Sequence, residues 1–592
     1  MPATSTVPAT GPAPAPHFRT VPNAAIARTL SEIADALEIE GENPFRIRAY
    51  RNAALCLETL GQPVAELAAH GGRKALLEIP GVGESIADKI LEMLKTGALA
   101  QLKEVRKEVP HELSALLGIV GLGPRKLQLL HEKLGVRDLD GLERVVRQGK
   151  ILELRGFGER SRQKLLAGIE QYRGRGGRFL LSQVESYAGA LRERLAAVPG
   201  VSRVEVAGSF RRRKETVGDL DLLCIAADPA EPLRAFTGFD AVEEVLAEGP
   251  TKASVRLSGG LQVDLRIVGE ESFGAALHYF TGSKEHNIAL RALAREKGFK
   301  VSEYGAFRGK RRVAGRTEEE IFRLIGAAWI PPELRESRGE IEAAIAGSLP
   351  ELIELADLRG DLQMHTNVTD GRHTALQMAR AARALGREYI AITEHSQAVT
   401  VARGLDDAGI LERAAELRRL RVPGLRVLAG VEVDIRRDGS LDLEPETLRQ
   451  LDVVVASVHS YLNLPRGEMT RRVVRAVESG LIHILGHPTG RILNVREPVE
   501  IDLKEVIQAC VRHGVALEIN AHPERLDLDD VHAKLAREMG ARFVISTDAH
   551  STDELGLLRY GVGVARRAWL TKADVLNALP VDRLLKALGK VH

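Results

Sequence analysis

"GSFRRRKETVGDLDLL", residues 208–223, carries two carboxylates, Asp219 and Asp221, one residue apart in an otherwise apolar run. On a strand, residues i and i+2 point to the same face. A strand that aims two negative charges at one point is either a solvent-facing edge or a place where cations sit. Asp264, in "LQVDLRIV" at 261–268, tilts the choice toward cations. It stands on a second predicted strand, and three acids from two nearby strands hold two hard divalent cations through oxygen ligands. The preceding turn supplies Ser209 and an arginine run, which suits a triphosphate. These parts describe in-line phosphoryl transfer, one ion activating an attacking 3′-hydroxyl and the other holding the leaving pyrophosphate.

Away from this stretch, 592 residues predict three to five domains, and 44% hydrophobic content is enough for several cores. The net charge of +2 gives no global basic signal, but residues 101–178 hold 17 Lys/Arg against 10 Asp/Glu. Three scattered cysteines, Cys56, Cys224 and Cys510, argue for a reducing compartment, against a disulfide framework and against a thiolate zinc site. No apolar run reaches membrane-spanning length. The opening "MPATSTVPATGPAPAPHF" reads as a disordered tail over 1–22, not a signal peptide.

Residues 23–99 read as helices, and 100–175 as shorter helices broken by glycine turns. Strands begin near 201 with "SRVEVAGS", "DLDLLCIA", "SVRLSGG" and "LQVDLRIV"; helix and turn return at 271–330. "WIPPELRESRGEIEAAIAG" at 329–347 reads as a linker with some helical content. From 359 onward short strands alternate with helices, which implies a barrel-like or doubly wound α/β domain.

A weak repeat lies near the start: "IPGVGESIADKI", "IVGLGPRKLQLL" and "LRGFGERSRQKL". It resembles the helix-hairpin-helix DNA-binding motif. Gly81, Gly83, Gly121, Gly123, Gly156 and Gly158 would let backbone N–H groups approach a phosphate oxygen, with the following helix N-terminus adding its field. Such contacts position a duplex without reading its sequence.

Eleven of the 17 histidines follow residue 350, many at the ends of predicted strands. "DLQMHTNVTDG" carries His365 and Asp370, and "TEH" carries His395. "GVE" carries Glu432, "SVHS" His459, "LGHP" His487, and "TDAH" Asp548 and His550. Packing does not explain so many polar strand ends, because each unpaired group costs free energy when buried. A metal cluster satisfies them together.

"GSFRRRKETVGDLDLL", "VDLRIV", "YFTGSKEHNIALR" and "KGFKVSEY" resemble, in order, the palm and thumb motifs of family X DNA polymerases. The histidine motifs resemble the PHP (polymerase and histidinol phosphatase) domain. The resemblance implies an all-α helix-hairpin-helix N-terminal region, an α+β nucleotidyltransferase palm with thumb, and a C-terminal (β/α)₇ PHP barrel. The implied segments are 23–99 lyase-like, 100–178 helix-hairpin-helix, 179–270 palm, 271–330 thumb, 331–352 linker and 353–592 PHP phosphoesterase.

By the same resemblance Asp219, Asp221 and Asp264 bind Mg²⁺ or Mn²⁺, and Ser209 and Arg212, beside Gly218, bind triphosphate. An arginine of "RGRGGR", Arg175 or Arg178, joins them. Tyr279, Phe280 and Gly282 pack on the sugar, Asn287 contacts the incoming base, and Arg291 contacts the template. Lys89 matches the amine that attacks a deoxyribose 5′-phosphate, or contacts that phosphate. In the PHP domain His365, Glu432 and Asp548 hold one ion; Glu432 bridges to a second with His459 and His487; Asp370, His395 and His550 hold the third, as Mn²⁺ or Zn²⁺. Where the PHP pattern opens His-x-His, this chain has Gln363-Met364-His365.

The implied function is short-gap filling in DNA repair, coupled to a 3′–5′ exonuclease or abasic-site (AP) endonuclease type of phosphoesterase. Partners would be gapped or nicked DNA and deoxynucleoside triphosphates, for a cytoplasmic, nucleoid-associated monomer away from membranes. The rival reading is a DNA-end-binding protein in which only the PHP centre is active.

Overall fold

The computed structural model describes residues 21, 23–39, 42–58, 64–79, 81–97, 99–102, 113, 116, 119, 122–174 and 178–589. The expected tail other than Val21, and Gly121 and Arg175, lie outside the described residues. Two compact units divide the chain, Met1–Arg175 and Gly176–His592.

The first unit is helical: α1 (Asn23–Ile39), α2 (Pro44–Glu58), α3 (Val64–Leu77), α4 (Glu84–Thr96), α5 (Pro124–Leu134), α6 (Leu139–Arg147) and α7 (Glu159–Gly174). Apolar residues recurring every three or four positions put Ile26, Leu30, Ile33 and Leu37 of α1 into one core with Leu57, Ile86 and Ile90. A second core gathers Leu127, Leu130, Leu142, Val146, Phe157 and Leu165. Each repeat enters its helix through glycine. Gly81 and Gly156 take φ of +79° and +95°, where L side chains are strained, and Gly83 and Gly123 cap α4 and α5 with no side-chain hydrogen bond. The first-turn N–H groups of those helices are therefore left to solvent or an anion.

The second unit opens with a short strand, Phe179–Leu180, paired antiparallel with Thr216–Val217, followed by α8 (Leu181–Ala196) beneath a five-stranded sheet. Its strands are β1 (Val201–Val206), β2 (Asp219–Ala226), β3 (Val242–Glu248), β4 (Lys252–Leu257) and β5 (Gln262–Ile267), in the order β1-β2-β5-β4-β3. Alternation settles which side chains go where. Leu220, Leu222 and Cys224 of β2 join Val263 and Leu265 of β5 in the core with Val184, Ala188 and Leu191 of α8. The acids therefore take the other face. β2 and β5 run parallel with Asp221 and Asp264 as direct partners. Beyond the sheet come α9 (Phe273–Thr281), α10 (Lys284–Glu296) and a three-stranded sheet of β6 (Lys300–Ser302), β7 (Gly305–Arg308) and β8 (Arg311–Ala314).

The stretch 331–352, expected as a linker, is packed structure. Leu334 and Ile341 are buried, Arg335 is 0% exposed, and Glu340 lies 2.7 Å from the His286 imidazole Nδ1. Arg335 Nη1 and Arg211 Nη1 both donate to Glu318, at 2.6 and 2.8 Å, and Trp329 Nε1 donates to the same carboxylate at 3.1 Å. Charged residues that look solvated in sequence are here neutralised by one another.

The C-terminal half alternates strand and helix as expected. β9 (Gly360–Asp361), β10 (Tyr389–His395), β11 (Arg426–Asp434), β12 (Val453–Ser457), β13 (Ile484–Leu485), β14 (Ala516–Asn520) and β15 (Phe543–Ser546) pair in chain order, every pair parallel. A parallel bridge between Met364 and Ala549, just past the first and last strands, nearly closes the barrel. The helix α11 (Leu558–Arg567) follows the last strand. Among the described residues no helix is long and apolar enough to cross a membrane.

Removing one partner from a buried ion pair leaves the other charge uncompensated, at a cost of about 3–5 kcal/mol. Arg335→Ala is therefore expected to lower the denaturant midpoint of the second unit strongly, whereas Arg449→Ala, on an exposed pair with Glu446, leaves it unchanged.

Candidate active sites

Over the acidic face of the first sheet opens a cavity of about 880 Å³. Ser209, Arg212, Asp219, Asp221, Tyr279, Phe280, Gly282, Asn287 and Arg291 line it, as do Arg178 and Lys214. Of the two candidate arginines, Arg178 is thus at the cavity, held by Thr216 Oγ1 at 2.9 Å, and Gly218 lies against it. Gly208 has φ +66°, and a Cβ there would meet Asp221 Oδ2 at 3.0 Å, so the turn that presents Ser209 requires glycine. Asp264 accepts weakly from Gln262 Nε2 at 3.3 Å. Burial first, then the charges of Asp219 and Asp264, push the Asp221 carboxyl up to about 7. Such a site is poised for cations: they remove the repulsion that otherwise holds a proton on Asp221.

Tyr279 and Phe280 meet edge to face at 5.1 Å, and the Arg266 guanidinium lies 4.5 Å from the Phe280 ring centroid. Asn287 Nδ2 donates to the Tyr279 carbonyl at 2.7 Å, which fixes the amide on the cavity wall. In the first unit Lys89 Nζ donates to Ser85 Oγ at 2.9 Å and lies 5.8 Å from the ring of buried Tyr50.

At the C-terminal ends of the barrel strands, the seven other expected residues gather around Glu432. Its carboxylate is buried, 3.0 Å from His487 Nε2, 3.4 Å from His459 Nε2 and 3.4 Å from His365 Nε2. Asp548 reaches His365 Nε2 at 3.1 Å, while Asp370 lies 3.4 Å from both His395 and His550. Three donor sets have all their atoms within 4.8 Å: His365, Asp370, His395 and His550; His395, Glu432 and His459; and His365, Glu432 and Asp548. The donor chemistry fits divalent cations. So do the orphans, since Glu432 Oε2 and His395 Nδ1, 3.3 Å apart, are both buried without a hydrogen-bond partner. Burial opposes charging of His459, yet Glu432 and Asp434 draw its imidazole up to about 10. Protons thus stand where cations would, and cation binding would displace them. Gln363 is fully buried, and neither atom of its side-chain amide has a hydrogen-bond partner. Beside His459 a second cavity of about 460 Å³ is walled by Arg437, Tyr461 and Leu464.

Several supporting residues were not singled out from sequence. Asp434 accepts from the His459 backbone N–H at 3.0 Å and lies 3.1 Å from its Nδ1, orienting the ring. Glu518 receives the His487 backbone N–H at 2.6 Å, and Asn520 Nδ2 donates to Asp548 at 3.0 Å. A signal existed: "VEVD" and "LEIN" place polar residues at period two inside apolar strands, the pattern that reveals Asp219 and Asp221.

Comparison with known proteins adds the following. Family models described as DNA polymerase beta thumb, helix-hairpin-helix domain and PHP domain match residues 276–336, 21–99 and 361–522. The helix-hairpin-helix description thus falls on the segment expected to be lyase-like. The chain is 37% identical over 560 residues, 93% of its own length and 97% of the relative's, to a DNA polymerase/3′-5′ exonuclease PolX of Bacillus subtilis (strain 168). It is 28% identical over 345 residues to DNA polymerase lambda of Rattus norvegicus, covering 53% of this chain and 56% of that one. It is also 30% identical over 229 residues to a probable phosphatase of Thermoanaerobacter sp. (strain X514), covering 36% of this chain and 89% of the relative.

A carboxyl whose folded pKa is raised stabilises the fold fully only below its unfolded value, and that stability is lost as pH rises through the folded one. For Asp221 this window runs from 3.8 to about 7. In chelator, Asp221→Asn is expected to melt above the parent at pH 8, with the difference closing toward pH 4.

Proposed function

Because the chain belongs to the family X DNA polymerases that carry a C-terminal PHP domain, we propose that it fills short gaps during DNA repair and processes 3′ ends on the same chain. It is a DNA polymerase with a PHP-associated phosphoesterase activity, acting on DNA and deoxynucleoside triphosphates. The observation that carries the polymerase reading is the register of β2 and β5, which sets Asp221 beside Asp264 under a cavity that also holds Ser209 and Arg212.

In this reading Asp219, Asp221 and Asp264 hold Mg²⁺ or Mn²⁺ at the primer terminus. Ions bound there would supply activation of the 3′-hydroxyl and neutralise charge on the triphosphate. Ser209, Arg212 and Arg178 bind the triphosphate, with Gly218 leaving room for Arg178. Tyr279, Phe280 and Gly282 pack on the sugar and disfavour ribonucleotides. Asn287 faces the incoming base and Arg291 the template. The glycine-entered helices, through Gly81, Gly83, Gly123, Gly156 and Gly158, grip phosphates flanking the gap, and Lys89 contacts a 5′-phosphate.

In the PHP barrel, His365, Glu432 and Asp548, with Gln363 as a neutral neighbour, hold one ion. Glu432, His459 and His487 hold the second, and Asp370, His395 and His550 the third. Mn²⁺ or Zn²⁺ suits these ligands, and bound ions would activate water for attack on a phosphate ester. Placement on a polymerase chain favours DNA 3′ ends over small phosphate esters as substrate. The enzyme would act as a monomer in the cytoplasm, on the nucleoid.

Gapped DNA incubated with nucleotides and Mn²⁺ tests both centres together. Asp264→Ala is expected to lose extension by about 100-fold or more while keeping 3′ degradation, and His459→Ala to do the reverse. Unchanged nucleotide incorporation by Asp264→Ala would remove the polymerase assignment of the acidic cavity.

A further inference from the structure

Behind the wall of the nucleotide cavity, five charged side chains alternate in sign through the interior. Arg212 Nε donates to Glu336 Oε1 at 2.9 Å. The same oxygen accepts from Arg567 Nη1 at 2.9 Å, and that nitrogen also donates to the main-chain carbonyl of Arg212 at 2.7 Å. Arg567 Nη2 donates to Asp530 at 2.8 Å, and Asp530 accepts from Arg338 Nη1 at 2.8 Å. The Arg567 side chain is 2% exposed; those of Glu336 and Arg212 are 12% exposed.

Three parts of the chain meet here. Arg212 ends the short helical turn between β1 and β2 of the polymerase sheet, Glu336 is the last residue of the thumb match, in the packed segment 331–352, and Arg567 is the last residue of α11 in the barrel domain. One barrel side chain therefore holds both the backbone of Arg212 and the anion that grips its guanidinium. Arg212 Nη1 is occupied by the Thr281 carbonyl at 2.5 Å. That leaves Nη2 without a protein acceptor among the described residues, on a side chain that lines the nucleotide cavity.

We propose that Arg567 of the phosphoesterase domain is a positioning residue for nucleotide binding in the polymerase domain: by fixing Glu336 and the Arg212 carbonyl it makes Arg212 present Nη2 to the incoming triphosphate. The inference rests on the reading of Arg212 as a triphosphate ligand. Its physical basis is charge balance in a dry place. Burial opposes ionisation of Glu336, but Arg567, Arg212 and Lys214 hold its carboxyl down at about 2. Without Arg567, Glu336 keeps its charge by drawing on Arg212 and Lys214 alone, two cations that line the nucleotide cavity. The buried cluster behind the cavity then carries one positive charge fewer, so Glu336 offsets more of the charge of Arg212 and Lys214, and the Arg212 backbone loses an anchor. Both effects weaken binding of the triphosphate and leave the acids that hold the metal ions untouched.

The test is single-nucleotide gap filling by the full chain, with dNTP concentration varied. Arg567→Gln is expected to raise KM for dNTP about tenfold, with kcat changed less than about twofold and 3′ degradation unchanged. Arg567→Lys keeps the charge but not the fork and should lie between the two. Glu336→Gln combined with Arg567→Gln should recover part of the KM, since the uncompensated anion is gone. An unchanged KM in Arg567→Gln overturns the proposal. So does a fall of kcat, 3′ degradation and melting temperature together, which marks a merely structural residue. Arg212→Ala separates the two levels of inference. If it leaves KM unaltered, the triphosphate reading itself is wrong; if it raises KM and Arg567→Gln does not, only the coupling fails.

Discussion

The parallel pairing of β2 with β5 is the constraint that shapes the first catalytic face. It places Leu220 and Leu222 beside Val263 and Leu265 in one core and, by the same alternation, Asp221 beside Asp264 on the opposite face. A slip of one residue would send the acids into the core and the leucines to water. The apolar face thus fixes the register, and the register gathers like charges that repel. The raised pKa of Asp221 comes from its burial first and from that repulsion second. Functional sites commonly hold such locally unfavourable arrangements, offset by packing elsewhere.

The barrel solves a related problem by different means. Its strands are buried along most of their length, so polar residues gather at their C-terminal ends, where several strands supply donors to one place. Glu432 sits at the centre, with histidines from three directions, and Asp434 and Glu518 hold His459 and His487 from behind. Buried networks of this kind are stable only when every member is satisfied. The unpartnered Glu432 Oε2 and His395 Nδ1, which face one another, therefore point to cations as the missing members.

Much of this was legible in the sequence because it follows from local patterns. Period-two acids in an apolar run mark the first face, strand-end histidines the second, and Gly-x-Gly before a helical run the entries to α4, α5 and α7. What escaped depends on contacts distant in sequence. The segment 331–352 carries Pro, Gly and many charges, the marks of a linker; only the fold brings Arg335 to Glu318 and Arg567 to Glu336. β3 is glutamate-rich and exposed, as suits a sheet edge that must not recruit another strand, and so lacks an apolar signal. Asp434 and Glu518 were visible as polar residues in apolar strands, but their work is done through a histidine on another strand.

If three carboxylates on two paired strands grip divalent ions at a primer terminus, those ions should be visible there. Anomalous scattering from Mn²⁺ in crystals of the enzyme with gapped DNA and a non-hydrolysable nucleotide makes that observation. Manganese is expected between Asp219 and Asp221, with Asp264 also coordinated. Manganese absent from that place, or an Asp264 carboxylate turned out of coordination range, would refute the grip.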